Sequence, residues 1–340
     1  MPDAKHGRDT RGTVGCMGCC RGAYWPVKQY IARRLLLAIP VILGVSLLVF
    51  LMVRILPGDV ATARLGEGAT AADIAAMRAR LGLDKPIHIQ YTGWISGVIT
   101  GSWGVSLWTD QPIGVMLANA VPVTLELTLL ATVISLLIGI PAGILSAVYQ
   151  DRPADYVARL LGIAGLAIPN FWLGTLLIIL PSIWFGWIPP VQYVSVTQDP
   201  WGNVQQFILP SIALGAYLAA IVTRLTRSSL LEVLRQDYVR TARAKGLAEQ
   251  VVINRHAFRN AAIPVLTVTA LQFGHLLGGT VIIERIFSLP GIGRLTVDAL
   301  LARDYLTVQT NVFLLAAAFV IVNLIVDMTY GALDPRIRLS

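Results

Sequence analysis

Four polar side chains stand inside otherwise apolar runs: Glu126, His275, Asn323 and Asp327. Ionisable groups at membrane depth are costly, so they mark a solute or ion path or an internal pairing. His275, in QFGHLLGG, has two readings. It lines a path, or it is a neutral imidazole bonding a neighbouring helix. Gly274, Gly278 and Gly279 favour the second reading, because small residues let helices approach closely. Asp327 is expected to pair locally. Cys16, Cys19 and Cys20 are the only cysteines, and His6 is the nearest imidazole in sequence. Zinc usually takes four ligands, so no metal site is expected there. Neither Gly-X-Ser-X-Gly nor His-Glu-X-X-His occurs, and His275 has no evident nucleophile or ligand partner. Without GxxxxGK[ST] the chain has no phosphate loop of its own. Hydrolysis and ATP binding by this chain are therefore not expected.

The densest charge lies in 224–264, where Arg224, Arg227, Arg235, Arg240, Arg243, Lys245, Arg255 and Arg259 outweigh Glu232, Asp237 and Glu249. Lys and Arg in excess between two apolar runs mark a cytoplasmic loop. The spacing of Leu231, Leu234, Tyr238 and Ala242 predicts one shared helix face. Gly246 suits a left-handed helix stop. Leu247, Val251 and Phe258 predict a second short amphipathic helix, and Pro264 suits the first turn of the next membrane helix. The pattern describes a helix–glycine–helix knob shaped for a groove in a soluble partner.

The elements around it are set by composition. Of 340 residues, 55% are hydrophobic and 14% charged, which fits a polytopic membrane protein. The net charge of +8 lies largely in short loops beside apolar spans, so it signals topology and not nucleic-acid binding. Spans are expected at 35–53, 123–148, 160–185, 207–222, 263–283 and 311–330. The third is expected to kink at Pro169 and Pro181, and the fourth is short. A polar extension, 1–27, is expected to be disordered and is not a signal peptide. Arg33, Arg34, Arg336 and Arg338 place both ends in the cytoplasm. The segment 54–122 is a long outer loop, with a helix at 71–81 capped by Thr70 and a turn-rich stretch whose Tyr91, Trp94 and Trp103 suit an interface. A second outer loop, 284–310, carries tight turns at Pro290, Gly291 and Gly293 and is apolar enough to dip into the membrane.

Several motifs carry a resemblance from 27 to 340. They are LGLDKP with Gln90-Tyr91, GVSL at 104–107, DYVRTARAKGL at 237–247 and RHAFRNAAIP at 255–264. ERIFSLPGIGRL at 284–295, RDY at 303–305 and DPRIR at 334–338 complete the set. The chain resembles the inner-membrane permease subunits of peptide-type ATP-binding-cassette importers, the dipeptide and oligopeptide branch. Two places depart from the pattern: Arg240 stands where importers at large carry Glu, and Leu306 where the branch commonly carries Pro.

The resemblance implies an all-α, six-span type I importer permease in a bacterial inner membrane. It implies that 224–262 is a cytoplasmic coupling loop that docks onto ATPase subunits through 237–256, with Tyr238, Arg240, Ala242, Arg243, Lys245, Gly246, Leu247 and His256 as candidate contacts. Pro290, Gly291, Gly293 and His275 are candidates for a gate or path. Implied partners are a second permease, two ATPases holding ATP and magnesium, and an external solute-binding protein, with no cofactor in this chain. The cargo is expected to be a peptide; nickel, glutathione or haem are alternatives within the branch. An ion-coupled secondary transporter is the competing class, but no convincing internal repeat supports it.

Overall fold

The computed structural model describes residues 27–55, 62, 65 and 68–333. Cys16, Cys19, Cys20, the 1–26 extension and the 334–338 motif lie outside the described residues, as does the Asp327 side chain. Helices dominate, and the only β-pairing among the described residues is a single bridge between Val105 and Pro112.

α1 (Val27–Ile55) is followed by α2 (Ala71–Leu81), α3 (Ile87–Thr100) and α4 (Ile113–Val148). Next come α5 (Pro153–Ala167), α6 (Asn170–Phe185) and α7 (Pro200–Leu234). α8 (Asp237–Ala244) precedes α9 (Phe258–Gly279), α10 (Val281–Ile286), α11 (Ile292–Leu301) and α12 (Tyr305–Leu333). α1, α4, α7, α9 with its lead-in, and α12 are each long and apolar enough to cross a membrane. α5 and α6 together make the sixth candidate, but they are bent by 102° to one another. The expected kink at Pro169 is thus a break. Ile168, the residue before proline, is held extended (φ −79°, ψ 122°), which a helix cannot continue through.

α4 and α7 form the centre. Gly139 and Gly143, one helical turn apart on α4, lie so close to α7 that an added Cβ would come within 2.7 Å of Val222 or 2.5 Å of Thr226. Gly215 returns the arrangement from α7, against the Ala131 carbonyl. Three hydroxyls buried along this seam bond back to their own helices: Thr128 to the Thr124 carbonyl, Thr132 to that of Thr128, and Thr223 to that of Ala219. Val123, Leu127, Phe207, Leu214, Leu218 and Val222 fill the core around them. α9 packs on α7 and α12, and α1 packs on α12.

Several boundaries move from the sequence-based expectation. α7 runs well past 207–222 at both ends, because Asp199 caps it with bonds from the Trp201 and Gly202 amides and Pro200 begins it. The turn-rich stretch after LGLDKP is mostly α3. Phe50 stacks on Trp94 and meets Tyr91 edge-on there, and Trp94 meets Phe313 of α12. Gln90 anchors the LGLDKP turn by donating to the Leu83 and Lys85 carbonyls. The Thr70 cap forms as expected: its hydroxyl accepts the Asp73 amide at 3.2 Å, and the bonds between these two residues hold the Asp73 carboxyl below its ordinary pKa.

Candidate functional site: the 235–257 knob and the loop at the opposite end

At one end of the bundle α7 stops at Leu234, and Gln236 is extended (φ −74°, ψ 148°) before α8 begins. Leu231 and Leu234 therefore belong to α7, and Tyr238 and Ala242 to α8, so the single four-residue face expected from their spacing does not form. Val239 and Ala242 make the inward face instead. They pack with Ala147 of α4, Leu230 of α7, and Val252, Ile253 and Ala257. Ala242 is 7% exposed, so it holds the helix from beneath. Gly246 takes φ +76°, the left-handed stop. No separate second helix forms after that stop. Glu249–Val251 leads into a π-helical turn, Val252–Ala257, which runs directly into α9. His256 sits in that turn. Pro264 lies inside α9 and not in its first turn.

The outer surface of the knob mixes apolar and cationic groups. Tyr238, Leu247 and Val251 are exposed at about 40% each (43%, 40% and 39%). Arg240, Lys245, Arg255 and Arg259 are exposed around them. Arg243 is already engaged: it forks onto Glu249 with bonds of 3.1 and 2.7 Å, which raises its pKa further. Asn260 donates to the Tyr238 hydroxyl at 2.7 Å, tying α8 to the start of α9. A buried carboxylate braces the same end. Asp155 accepts two bonds from Arg227 (2.8 and 2.9 Å), one from Ser146 (2.5 Å) and the Asp151 amide (3.0 Å).

At the opposite end the ERIFSLPGIGRL motif folds around Glu284, which is fully buried. Its Oε1 accepts the hydroxyls of Thr124 (2.7 Å) and Thr280 (2.8 Å), and its Oε2 accepts the Arg294 amide (2.9 Å). Thr124 also accepts the Ile292 amide at 2.9 Å. Gly291 and Gly293 are needed here for space: a Cβ on Gly291 would overlap the Glu284 carboxylate, and one on Gly293 would press on Val281. Pro290 is exposed, whereas Ile292 packs on Ile113, Leu117 and Ala120 of α4. Two other motifs meet nearby. Ser106 of GVSL donates to Asp304 of RDY at 2.5 Å, and Leu306 rests against Gly104.

His275 is separate from both assemblies. It lies exposed beside Phe319, with ring centroids 5.2 Å apart, and makes no hydrogen bond among the described residues. A tilted ring contact, with 58° between the planes, thus stands where a hydrogen bond was expected. Of its neighbouring glycines only Gly274 meets a helix, against Phe319; Gly278 and Gly279 face open space. Sequence reasoning missed Glu284, Thr124, Asp155 and Arg227. For Glu284 the sequence offered only an acid followed by two glycines in one short motif, which names neither its burial nor its partner Thr124.

Two family patterns match the chain: the "Binding-protein-dependent transport system inner membrane component" over residues 139–339, and the N-terminal part of such a membrane component over 27–128. A glutathione transport system permease protein of Salmonella choleraesuis is 43% identical over 310 residues, 91% of this chain and 99% of the relative. Its counterpart in Escherichia coli K12 is 42% identical over the same shares. One chain of a solved amino acid ABC transporter with histidines overlaps 65% of this chain at 18% identity, with a TM-score of 0.48.

Proposed function

Because this chain belongs to the family of binding-protein-dependent transport inner-membrane components, we propose that it is a peptide-carrying permease subunit gripped by its ATPases at the 235–257 knob. As an ABC importer permease it is a multi-pass inner-membrane transport component working with ATPase and binding-protein partners. The finer reading supplies a second permease, two ATPases that hold ATP and magnesium, and one external solute-binding protein. It puts the knob and both termini in the cytoplasm, as the basic residues around the knob favour. The single observation that carries the docking role is the knob's two-sidedness. Its inner face is packed and satisfied, while Tyr238, Leu247 and Val251 stand exposed among Arg240, Lys245, Arg255 and Arg259. That surface fits an apolar groove with an acidic rim.

ATP-driven movement of the grip would tilt α4, α7 and α9 as packed bodies and change the side to which the path opens. The cargo proposed is a short peptide. Glutathione is itself a tripeptide, and the relatives named for its transport make it the first to test. Gly246→Val forces a β-branched residue into φ +76°. The expected result is loss of the ATPase subunits when the complex is purified; full retention with undiminished ATP hydrolysis would refute the docking role. Uptake of labelled glutathione by the reconstituted complex, competed by unlabelled dipeptides, tests the cargo.

A further inference from the structure

We infer that Glu284 is a positioning residue of the transport cycle: its carboxylate fastens the 288–294 loop to Thr124 on α4, so that displacement of the knob is delivered to that loop. The inference rests on the docking role proposed for the knob. α4 reaches both ends. Ala147, near its last turn, packs under the knob, and Thr124 holds Glu284 and the Ile292 amide at the other end. The stretch of α4 between Thr124 and Ala147 spans about 35 Å at roughly 1.5 Å per residue. The seam with α7 stiffens this length, because Gly139, Gly143 and Gly215 bring the two backbones too close to slide past bulky side chains.

The tether is chemically narrow. No cation among the described residues reaches the carboxylate: the Arg294 guanidinium turns to the Ser288 carbonyl, and Arg285 pairs with Asp298. Two hydroxyls and one amide supply all its hydrogen bonds among the described residues. Both sides of the loop are thereby fixed to one group, since Thr280 precedes the α10 turn and Arg294 lies in α11. A loop held only by apolar packing would drift as α4 tilts. A loop pinned through directional bonds follows it.

The test uses the whole complex in proteoliposomes, with solute uptake and ATP hydrolysis measured together. Glu284→Gln keeps the size and removes one acceptor from the set; Thr124→Val removes the hydroxyl at the α4 side. In each assembled variant the solute moved per ATP hydrolysed is expected to fall about tenfold, the scale of one lost coupling interaction. A purely structural role would lower the melting midpoint and leave that ratio unchanged. A ratio at the parent level in either assembled variant overturns the proposal. So does failure of both variants to assemble, which would assign the tether to folding alone. The docking role is judged separately, by ATPase retention in the Gly246→Val complex, and survives either result.

Discussion

The knob and the 288–294 loop solve the same problem by opposite means. Each is an irregular segment that must hold its shape at the end of a helical bundle. The knob is held from within by apolar contacts spread over Leu230, Val239, Ala242, Val252, Ile253 and Ala257, and its charges point outward. The far loop has apolar anchors too, Leu289 and Ile292, but it closes on one buried carboxylate and three neutral donors. Distributed packing degrades gradually and leaves a surface free for a partner. A single polar centre is all-or-none, because every donor left behind becomes a buried, unsatisfied group.

That contrast can be broken most severely at Gly291. Gly291→Ala drives a methyl into the Glu284 carboxylate and is expected to destabilise the purified protein by about 3 kcal/mol, the upper range for overpacking. Thermal unfolding in detergent would show it, and the penalty should shrink in a Glu284→Ala background, where the collision is gone. Arg227→Ala comes next. It strands Asp155, which is fully buried, and is expected to cost about 3 kcal/mol, whereas replacing both partners by apolar residues of similar size costs less. Val239→Ala probes distributed packing and should cost about 1–2 kcal/mol, with the knob still recognisable by its ATPase retention. Tyr238→Ala with Leu247→Ala should lower the unfolding free energy by only about 1 kcal/mol, since both side chains are exposed and the one bond lost is that from Asn260 to the Tyr238 hydroxyl, yet weaken ATPase co-purification. The smallest effect is expected for Glu249→Ala. Its pair with Arg243 has side chains 42% and 54% exposed, and such pairs contribute about 0.5 kcal/mol or less. A large loss there would mean that the knob depends on its ion pair and that the contrast is wrong.

How much of this was legible in the sequence depended on which force sets each feature. Long apolar runs announce membrane helices directly, so five of them were placed with shifted ends. The bend between α5 and α6 was foreseen only as a kink, because a proline states where a helix is interrupted and not by how much it turns. Gly246 was readable, since a left-handed stop needs a residue without Cβ. The inward face of α8 was not, because the break at Gln236 resets the helical phase and turns Val239, not Tyr238, toward the core. Glu284 was hidden for a different reason. An acid at the edge of an apolar run reads as the start of an outer loop, and only the fold brings Thr124, distant in sequence, to meet it. Arg227 was likewise read as a loop charge and Asp155 drew no reading at all, because their pairing is a product of tertiary contact. His275 drew notice because it is rare in such a setting, yet it lies outside both assemblies.

The right-angled turn at Ile168 has a consequence for the surrounding lipid. α6, at 16 residues, reaches about 24 Å, short of the roughly 30 Å of hydrocarbon in an ordinary bilayer. α5 leaves it nearly sideways, presenting Tyr156, Val157, Leu160, Leu161 and Ile163 outward, each more than half exposed. Where lipid meets this flank, the acyl chains would have to shorten to match the protein. Thickness mismatch would be felt here before anywhere else in the bundle, and vesicles of longer-chain lipid would load the α5–α6 corner first.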